Sequence, residues 1–233
     1  MPNFVVLGIP KTGSRSLESM LLQRVSNYCE YHIFPFHLDR SNLSICLNNI
    51  VVFRHESKHC TEFRFDSWNT ISHMPQWVTM IRKPLERFSS EFEYGRTHCK
   101  TTFHACNCSQ LVKYISMPFH HNWQLAFLNG MRNNLLPCST RYDHVSRTHL
   151  NRLWQHTIEK KRGFIGLVEH FDQSMRSIFK FLRISYPTKS TLLNHRKTTF
   201  CDKCAFSQPQ ARELERYHSL DSELWGRVLS ILS

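Results

Sequence analysis

The chain lacks several features that would assign its class at once. It has no signal peptide, no internal repeat and no low-complexity tract, and no apolar run approaches the about 20 residues that cross a bilayer. The sequence therefore predicts neither a repeat array nor a membrane-spanning segment. It has 233 residues, 41% of them hydrophobic, which is enough for one sizeable core. We predict a single domain over residues 1–233.

Acidic residues are scarce. Eighteen Asp and Glu stand against thirty Lys and Arg, which gives a formal net charge of +12, and fifteen His add charge in a mildly acidic compartment. This excess predicts an anionic partner. Nucleic acid, acidic lipid, a nucleotide and a sulfated glycan all stay open from charge alone, as does a basic surface kept for solubility.

Cysteine, in contrast, is plentiful. Nine cysteines are many for a reduced compartment, and an odd number cannot pair completely within one chain. Two glycosylation sequons, at Asn42 and Asn107, also favour a secretory route and an oxidising lumen with disulfides. Because the chain shows no anchor, a luminal protein would need one outside it. A cytoplasmic location is the other hypothesis.

A complete zinc ligand set is also missing from the cysteine pattern. Cys201 and Cys204 form a single CxxC, and a structural zinc site needs a second pair of ligands. Cys106 and Cys108 are too close together to provide it. Disulfides are therefore favoured over zinc, and no metal is predicted.

Short apolar runs alternate with amphipathic segments along the chain. Buried strands are predicted at 4–7, 50–53, 77–81 and 164–168, and helical spacing of apolar residues follows the first, third and fourth of them. Strands that alternate with helices predict an α/β fold. We expect a central, mostly parallel sheet covered by helices on both faces.

The sequence GIPKTGSRSL joins the first strand to the first helix. A nucleotide P-loop needs its lysine directly after the last glycine, but Lys11 precedes Gly13, which counts against an ordinary ATPase. The parts of a phosphate cradle are nevertheless present: a glycine, the hydroxyls of Ser14 and Ser16, Lys11 and the free amides of a helix start. The alternative is an ordinary strand-to-helix turn.

A second anion-binding pattern, IRKPLERFSSEF, spans residues 81–92. It places Arg82 at a strand end and Ser90 about two helical turns further on. An arginine fork and a hydroxyl can hold a phosphate together, although arginines in ordinary ion pairs would give the same pattern. Two such sites at successive strand ends indicate a nucleotide with phosphates at both ends of its ribose.

These two motifs carry a family resemblance. PKTGSRSL resembles the 5′-phosphosulfate loop of sulfotransferases, and IRKPLERFSSEF resembles their 3′-phosphate element. Segments 82–96, 117–138 and 163–182 are similar to the heparan sulfate 6-O-sulfotransferases, and HRKTT at 195–199 is similar to the 2-O enzymes. Lys83 stands where that family usually has aspartate, and Arg15 where threonine is common.

The resemblance implies a sulfotransferase or P-loop-like fold, a Golgi location and 3′-phosphoadenosine 5′-phosphosulfate (PAPS) as sulfate donor without a metal. It also implies a set of donor-binding residues in the two motifs and in the late 195–199 segment. That set is Lys11, Thr12, Gly13, Ser14, Arg15, Ser16, Arg82, Ser90, Lys197 and Thr198.

The resemblance further implies a histidine base at the end of the second predicted strand. His55 lies nearest the strand end, whereas His59 fits the spacing of the 2-O enzymes; both stay candidates beside a different base or purely structural histidines. Lys11 would stabilise the leaving oxygen. Glu62, His120, Asn122 and Gln124 would face the acceptor, unless they are simply solvated or helical polar residues.

The resulting hypothesis is sulfuryl transfer from PAPS to a hydroxyl of a heparan-type glycosaminoglycan, in its 6-O or 2-O position. The partner would be an anionic glycan and not nucleic acid, and any membrane attachment would use an anchor absent from this chain. One alternative is an inactive relative that binds glycan or nucleotide. The other is an ATP-dependent phosphotransferase, which would need magnesium.

Overall fold

The computed structural model describes residues 4–9, 12–22, 28–32, 50–54, 76–98, 108–129, 145–186 and 206–233. Within them, five strands form one sheet in the spatial order β2-β3-β1-β4-β5, and every neighbouring pair is parallel. The predicted α/β fold with a parallel sheet is confirmed. The strands are β1 Phe4–Leu7, β2 Tyr28–His32, β3 Ile50–Arg54, β4 Gln76–Ile81 and β5 Gly163–Leu167.

Helices of the described part cover the sheet. Short 3₁₀ turns occupy Pro118–His120 and Val168–His170, and a π-helical turn, Gln155–Glu159, continues the fifth helix. The helices are α1 Ser14–Leu22, α2 Pro84–His98, α3 Cys108–Ser116, α4 Trp123–Leu128, α5 Arg147–Trp154, α6 Phe171–Leu182, α7 Gln208–Tyr217 and α8 Ser219–Leu232.

The strand β4 shows how the two layers of the core are divided. Trp77 and Ile81 point into one layer with α2–α5, α7 and α8, whereas Val78 and Met80 point into the other with α1 and α6. All four side chains are buried. A strand covered on both faces needs apolar residues at successive positions, and this explains why it shows a continuous apolar run.

The sequence predicted the apolar strands well and several other elements not at all. The four predicted strands agree with β1, β3, β4 and β5 to within one residue at each end. The strand β2, with the sequence YCEYH, has no apolar run, and the polar helices α5 and α7 gave no comparable signal. Such elements form because their neighbours in the fold provide a partner.

The order of the strands determines where a ligand would bind. β2 and β3 lie on one side of β1, whereas β4 and β5 lie on the other, so the chain reverses direction across the sheet at β1. In open α/β sheets, ligands bind outside the carboxyl ends of the strands at such a reversal. Leu7 at the end of β1 lies beside Phe53 of β3 and Thr79 of β4. We call this end of the sheet the carboxyl edge and the opposite end the amino edge.

A glycine at the start of β5 permits the close approach of Trp77. A Cβ atom added at Gly163 would lie 2.1 Å from Cε2 of the Trp77 indole.

We therefore expect Gly163→Ala to lower the free energy of unfolding by at least about 2 kcal/mol, measured by urea denaturation. Gly226→Ala in α8 is the matched control, because its Cβ would meet nothing within 4 Å, and it should stabilise the helix by up to about 1 kcal/mol. Equal urea midpoints for Gly163→Ala and the parent would contradict the packing.

Candidate functional site

The loop after β1 ends in a glycine that starts α1. Gly13 has φ of +69°, a conformation that side-chain-bearing residues avoid. Its carbonyl accepts hydrogen bonds from the amides of Ser16 and Leu17, both at 3.0 Å. The amides of Ser14 and Arg15 therefore have no acceptor within the helix, and they lie at the positive end of its dipole. This is the backbone arrangement that anions bind.

A hydrogen bond within the same loop fixes its conformation. The Thr12 hydroxyl, which is buried, donates to the Ile9 carbonyl oxygen at 2.8 Å. Thr12 was predicted to bind the donor, and in the structure its side chain closes the loop. A Cβ at Gly13 would lie 3.6 Å from side-chain atoms of Val168 and Phe171, so the start of α6 forms one wall of the loop. Of the other predicted residues, Ser14 is half-buried and Ser16 is buried.

Buried hydroxyls also satisfy the backbone where neighbouring strands end. The Thr79 hydroxyl of β4 donates to the Leu7 carbonyl oxygen at 2.8 Å. At the end of β5, the Ser174 hydroxyl accepts from the Leu167 amide at 2.8 Å and donates to the Leu167 carbonyl at 3.0 Å. Backbone groups that leave a sheet ladder inside the protein need such partners. The carboxyl edge is thereby fixed without an additional strand.

The loop after β4 carries Arg82, and a glutamine of α4 holds its backbone. The Arg82 amide donates to Oε1 of Gln124 at 3.0 Å, and Nε2 of Gln124 donates to the Arg82 carbonyl at 2.8 Å. The Gln124 side chain thus pairs with Arg82 as a neighbouring strand would. Gln124 is fully buried. Its predicted contact with an acceptor stays a prediction, and the structure gives it a positioning role.

The starts of α4 and α8 cap one another. The amides of Gln124 and Leu125 donate to the two carboxylate oxygens of Asp221, at 3.0 and 2.8 Å. In return, Oδ1 of Asn122 accepts from the amides of Leu220 and Asp221, at 2.9 and 3.2 Å. Asn122, another residue predicted to face the acceptor, therefore links the two helices. Gln124, and with it the Arg82 loop, is fixed by α8.

A second support reaches the same loop from the end of β5. The Lys83 amide donates to Oε1 of Glu169 at 2.8 Å, and the indole Nε1 of Trp225 in α8 donates to Oε2 at 3.0 Å. The Lys83 ammonium nitrogen lies 5.1 Å from the centroid of the Trp225 ring, within cation–π distance. Side chains from α4 and from the 3₁₀ turn after β5 thus hold the Arg82–Lys83 backbone, and α8 holds both of them.

One face of α2 is polar and faces away from the core. Arg82, Glu86 and Ser90 follow at steps of four residues, so they share a helical face. Nε of Arg82 lies 3.5 Å from Oε2 of Glu86, with side-chain exposures of 23% and 46%. An anion shared by Arg82 and Ser90 would have to displace Glu86. Because exposed ion pairs contribute only about 0–1 kcal/mol, this displacement costs little.

The opposite face of α2 buries an arginine that the sequence analysis did not single out. Arg87 is fully buried, and its Nη2 lies 3.0 Å from Oε2 of Glu91. Its guanidinium carbon lies 4.0 Å from the ring centroid of Trp123 and 4.2 Å from that of Phe88. Arg87 therefore joins α2 to α4 by stacking on Trp123, whereas its ion pair with Glu91 stays within α2. Removing one partner of a buried pair is costly, so Arg87 has a structural role.

His120 belongs to an aromatic cluster on this buried side. Its ring centroid lies 4.1 Å from that of Tyr114 and 5.1 Å from that of Phe88. Burial, together with the negative charge of Glu91, raises the pKa of Tyr114 above its ordinary value, so the phenol stays neutral. His120 packs into the core layer beneath α2, and its predicted contact with an acceptor stays a prediction.

Several sequence-based assignments fall outside the described residues. Lys11, His55, His59, Glu62, Lys197 and Thr198 are among them, so their roles stay predictions. His55 follows directly on Arg54, the last residue of β3, which is the neighbour of β1. The side chains of the nine cysteines and both sequon asparagines also lie outside, and the disulfide and glycosylation hypotheses stay predictions.

The described residues contain neither a membrane-spanning helix nor a cluster of metal ligands. None of their helices is long and apolar enough to cross a membrane. They also contain no group of three histidine, cysteine, aspartate or glutamate side chains arranged to hold a metal ion.

Comparison with known proteins identifies the fold. No protein-family model and no curated protein matches the sequence. A solved sulfotransferase from Alicyclobacillus acidocaldarius is similar over 100% of this chain and 96% of its own, with a TM-score of 0.52 and 12% identity. The chain has the sulfotransferase fold. Mouse sulfotransferase SULT7A1 complexed with PAP is similar over 93% of this chain and 81% of its own, with a TM-score of 0.49 and 13% identity.

The residues that position the Arg82 loop within this sulfotransferase fold were not found by sequence reasoning. Glu169 and Asp221 bond to partners that lie 86 and 97 residues away along the chain. No local sequence pattern predicts contacts between residues so far apart. The only signal was indirect, since the apolar spacing around Gln124 indicated a helix whose polar residues needed an explanation.

The two hydrogen bonds of Gln124 to Arg82 can be tested directly. Gln124→Met keeps the volume but leaves the buried amide and carbonyl of Arg82 without partners, so we expect a loss of about 2 kcal/mol in the free energy of unfolding. Asn129→Leu, at the C-cap of the same helix, is the control. The Leu125 carbonyl that Asn129 bonds also accepts from a backbone amide, so this loss should stay below about 1 kcal/mol. Equal losses in urea denaturation would contradict the positioning role.

Proposed function

We propose that the protein transfers a sulfuryl group from PAPS to a hydroxyl of an anionic glycan, of the heparan type, at a glucosamine 6-position or a uronic acid 2-position. One observation carries the proposal. The open helix start at Gly13 and the rigidly held Arg82 loop follow two adjacent strands, β1 and β4, in a sulfotransferase fold. Two neighbouring anion-binding elements suit a donor that is phosphorylated at both ends of its ribose.

The described residues fit such a donor. The free amides of Ser14 and Arg15 and the dipole of α1 suit the 5′-phosphosulfate. Arg82 in the loop before α2 and Ser90 on the polar face of α2 suit the 3′-phosphate, once Glu86 is displaced from Arg82. The fixed backbone at Arg82 means that little ordering is needed when the donor binds. Lys11, within the first loop, would add a full positive charge to the first site.

The transfer would run in line. His55 or His59 would take the proton of the acceptor hydroxyl, and the acceptor oxygen would form its bond to sulfur as the bond from sulfur to the phosphate oxygen breaks. Charge then grows on that phosphate oxygen, where Lys11 and the helix amides would stabilise it. The leaving product is 3′-phosphoadenosine 5′-phosphate, the molecule called PAP.

We also propose an oxidising lumen, that of the Golgi, as the setting. The supporting observations are the nine cysteines and the sequons at Asn42 and Asn107. Attachment to a membrane would depend on an anchor outside this chain. Glycans of the proposed acceptor class carry the negative charge that the excess of 30 Lys and Arg over 18 Asp and Glu attracts.

The reaction is tested by transfer of labelled sulfate from PAPS to a panel of selectively desulfated heparins and chondroitins. We expect label on a heparan-type acceptor, lost with Lys11→Ala and with one of His55→Ala and His59→Ala, and kept with the exposed control Lys113→Ala. Binding of PAP without transfer to any acceptor would identify an inactive relative. Binding of ATP with magnesium, but not of PAP, would identify a phosphotransferase.

The role of Arg82 has a sharper test, because PAP and adenosine 5′-phosphate differ only in the 3′-phosphate. We expect Arg82→Gln to weaken PAP binding at least about tenfold and to leave adenosine 5′-phosphate binding unchanged, since a charge-assisted contact is lost. Glu86→Gln should strengthen PAP binding about two- to threefold, because it removes a competing carboxylate.

Isothermal titration calorimetry measures both ligands. Arg147→Gln serves as the control for Arg82, because it also removes an arginine paired with a glutamate, here Glu223. An equal loss of both nucleotides in Arg82→Gln would show that Arg82 does not bind the 3′-phosphate.

A further inference from the structure

A second basic surface lies far from the carboxyl edge. It consists of exposed cations in the turn that enters β5 and on the outer face and end of α6. We call these residues the amino-edge patch: Lys160, Lys161, Arg176, Lys180 and Arg183. Resting on the proposed function, we propose that this patch binds the sulfated polysaccharide chain whose hydroxyl is modified at the opposite edge.

The contacts between β5 and α6 place the patch at the amino edge. Ser174, in the first turn of α6, bonds to Leu167 at the end of β5. Phe181, near the end of α6, lies 5.8 Å from Phe164 near the start of β5, measured between ring centroids. The helix therefore runs antiparallel to the strand, and its end lies beside the turn that enters β5. A strand of five residues puts this end about 16 Å from the carboxyl edge.

The backbone conformation at two residues of the patch is independent evidence that the patch has a function. Lys161 and Arg183 have φ of +49° and +57°, a region that favours glycine or asparagine and costs other residues about 1–2 kcal/mol. Among the described residues only Asn122 shares this feature, and its side chain caps α8. Arg183 ends α6, where glycine is the usual residue. Strained positions filled by long cations indicate that the charge itself is used.

The patch cations are also not neutralised by the described part of the chain. None of the five forms an ion pair with a described residue, whereas Arg147 and Arg227 share Glu223. Two acids lie nearby, Glu159 beside Lys160 in sequence and Asp172 one helical turn before Arg176. Arg176 instead stacks on a tyrosine, 4.9 Å from the ring centroid of Tyr186. The patch keeps a positive excess.

The chemistry around these cations favours a sulfated polysaccharide over a single-stranded nucleic acid and over a membrane bound by apolar insertion. Phe181 and Tyr186 are partly buried, and the only exposed large hydrophobic residue among those described is Ile231 of α8. Proteins bind single-stranded nucleic acids by stacking the bases on exposed aromatic side chains. Amphipathic helices that lie on a membrane insert exposed apolar side chains into it. A sulfated glycan offers closely spaced negative charges and needs neither.

The separation of the two edges has a consequence for acceptor length. A chain that contacts the patch and also presents a hydroxyl to the catalytic site must span at least about 16 Å along the protein surface. A long acceptor therefore gains affinity from the patch, because its second contact is intramolecular. A disaccharide bound at the carboxyl edge is too short to gain in this way.

The test compares two triple variants of equal charge. The patch variant is Lys161→Asn, Lys180→Gln and Arg183→Asn; asparagine suits positive φ, so this variant keeps its thermal stability. The control variant is Lys113→Gln, Arg212→Gln and Arg216→Gln, which are exposed cations of α3 and α7. Arg212 and Arg216 are adjacent in sequence to Glu213 and Glu215. We expect full-length heparin to bind the patch variant at least about tenfold more weakly than the parent, and the control less than about threefold more weakly.

The outcomes separate this proposal from the proposed function. KM for full-length, selectively desulfated heparin, which keeps its other sulfates, should rise only in the patch variant, and transfer to a disaccharide should stay the same in both variants. Equal weakening in both variants, or weakening in neither, would overturn the patch. So would loss of binding to anionic phospholipid vesicles with heparin binding intact. Because heparin binding needs no turnover, its result decides the patch even if the parent transfers no sulfate.

Discussion

Backbone amides and carbonyls at the carboxyl edge need hydrogen-bond partners where the ladder of the sheet ends. The rest of the site depends on which side chains supply these partners. An unpaired buried amide or carbonyl costs about 1–3 kcal/mol. Here side chains meet the requirement: Thr79 for the end of β1, Ser174 for the end of β5, and Gln124 with Glu169 for the loop after β4. Each bond also fixes the loop that it satisfies.

Through the same bonds, α8 fixes the position of the Arg82–Lys83 loop, which lies more than 120 residues before it in the sequence. Asp221 holds the start of α4 and so sets the position of Gln124, while Trp225 orients the carboxylate of Glu169. A guanidinium that must meet a phosphate oxygen within hydrogen-bond distance loses its advantage if its backbone drifts by an ångström. The cost of ordering Arg82 is thus met when the protein folds and not when a ligand binds.

The sequence allowed prediction of what depends on local pattern. Apolar runs predicted four of the strands. The glycine at position 13 predicted the loop after β1, because its positive φ is a conformation that favours glycine. The strand order could not be derived, since nothing local puts β1 between β3 and β4. Asn122 and Gln124 looked like acceptor contacts because polar residues on an apolar helix need partners, and their partners lie in segments distant in sequence. Lys161 and Arg183 gave no signal, because positive φ is a property of the folded backbone.

Charge is used differently at the two edges of the sheet. At Gly13 the attraction comes from backbone amides and a helix dipole, whose partial charges are fixed in direction and act at short range. At the amino edge it comes from formal charges on long exposed side chains, which reach further but are screened within about 8 Å at physiological ionic strength. Fixed amides suit a small ligand that is held in one orientation for chemistry. Mobile cations suit a long polyanion such as the acceptor proposed here, and a net charge of +12 accords with that proposal.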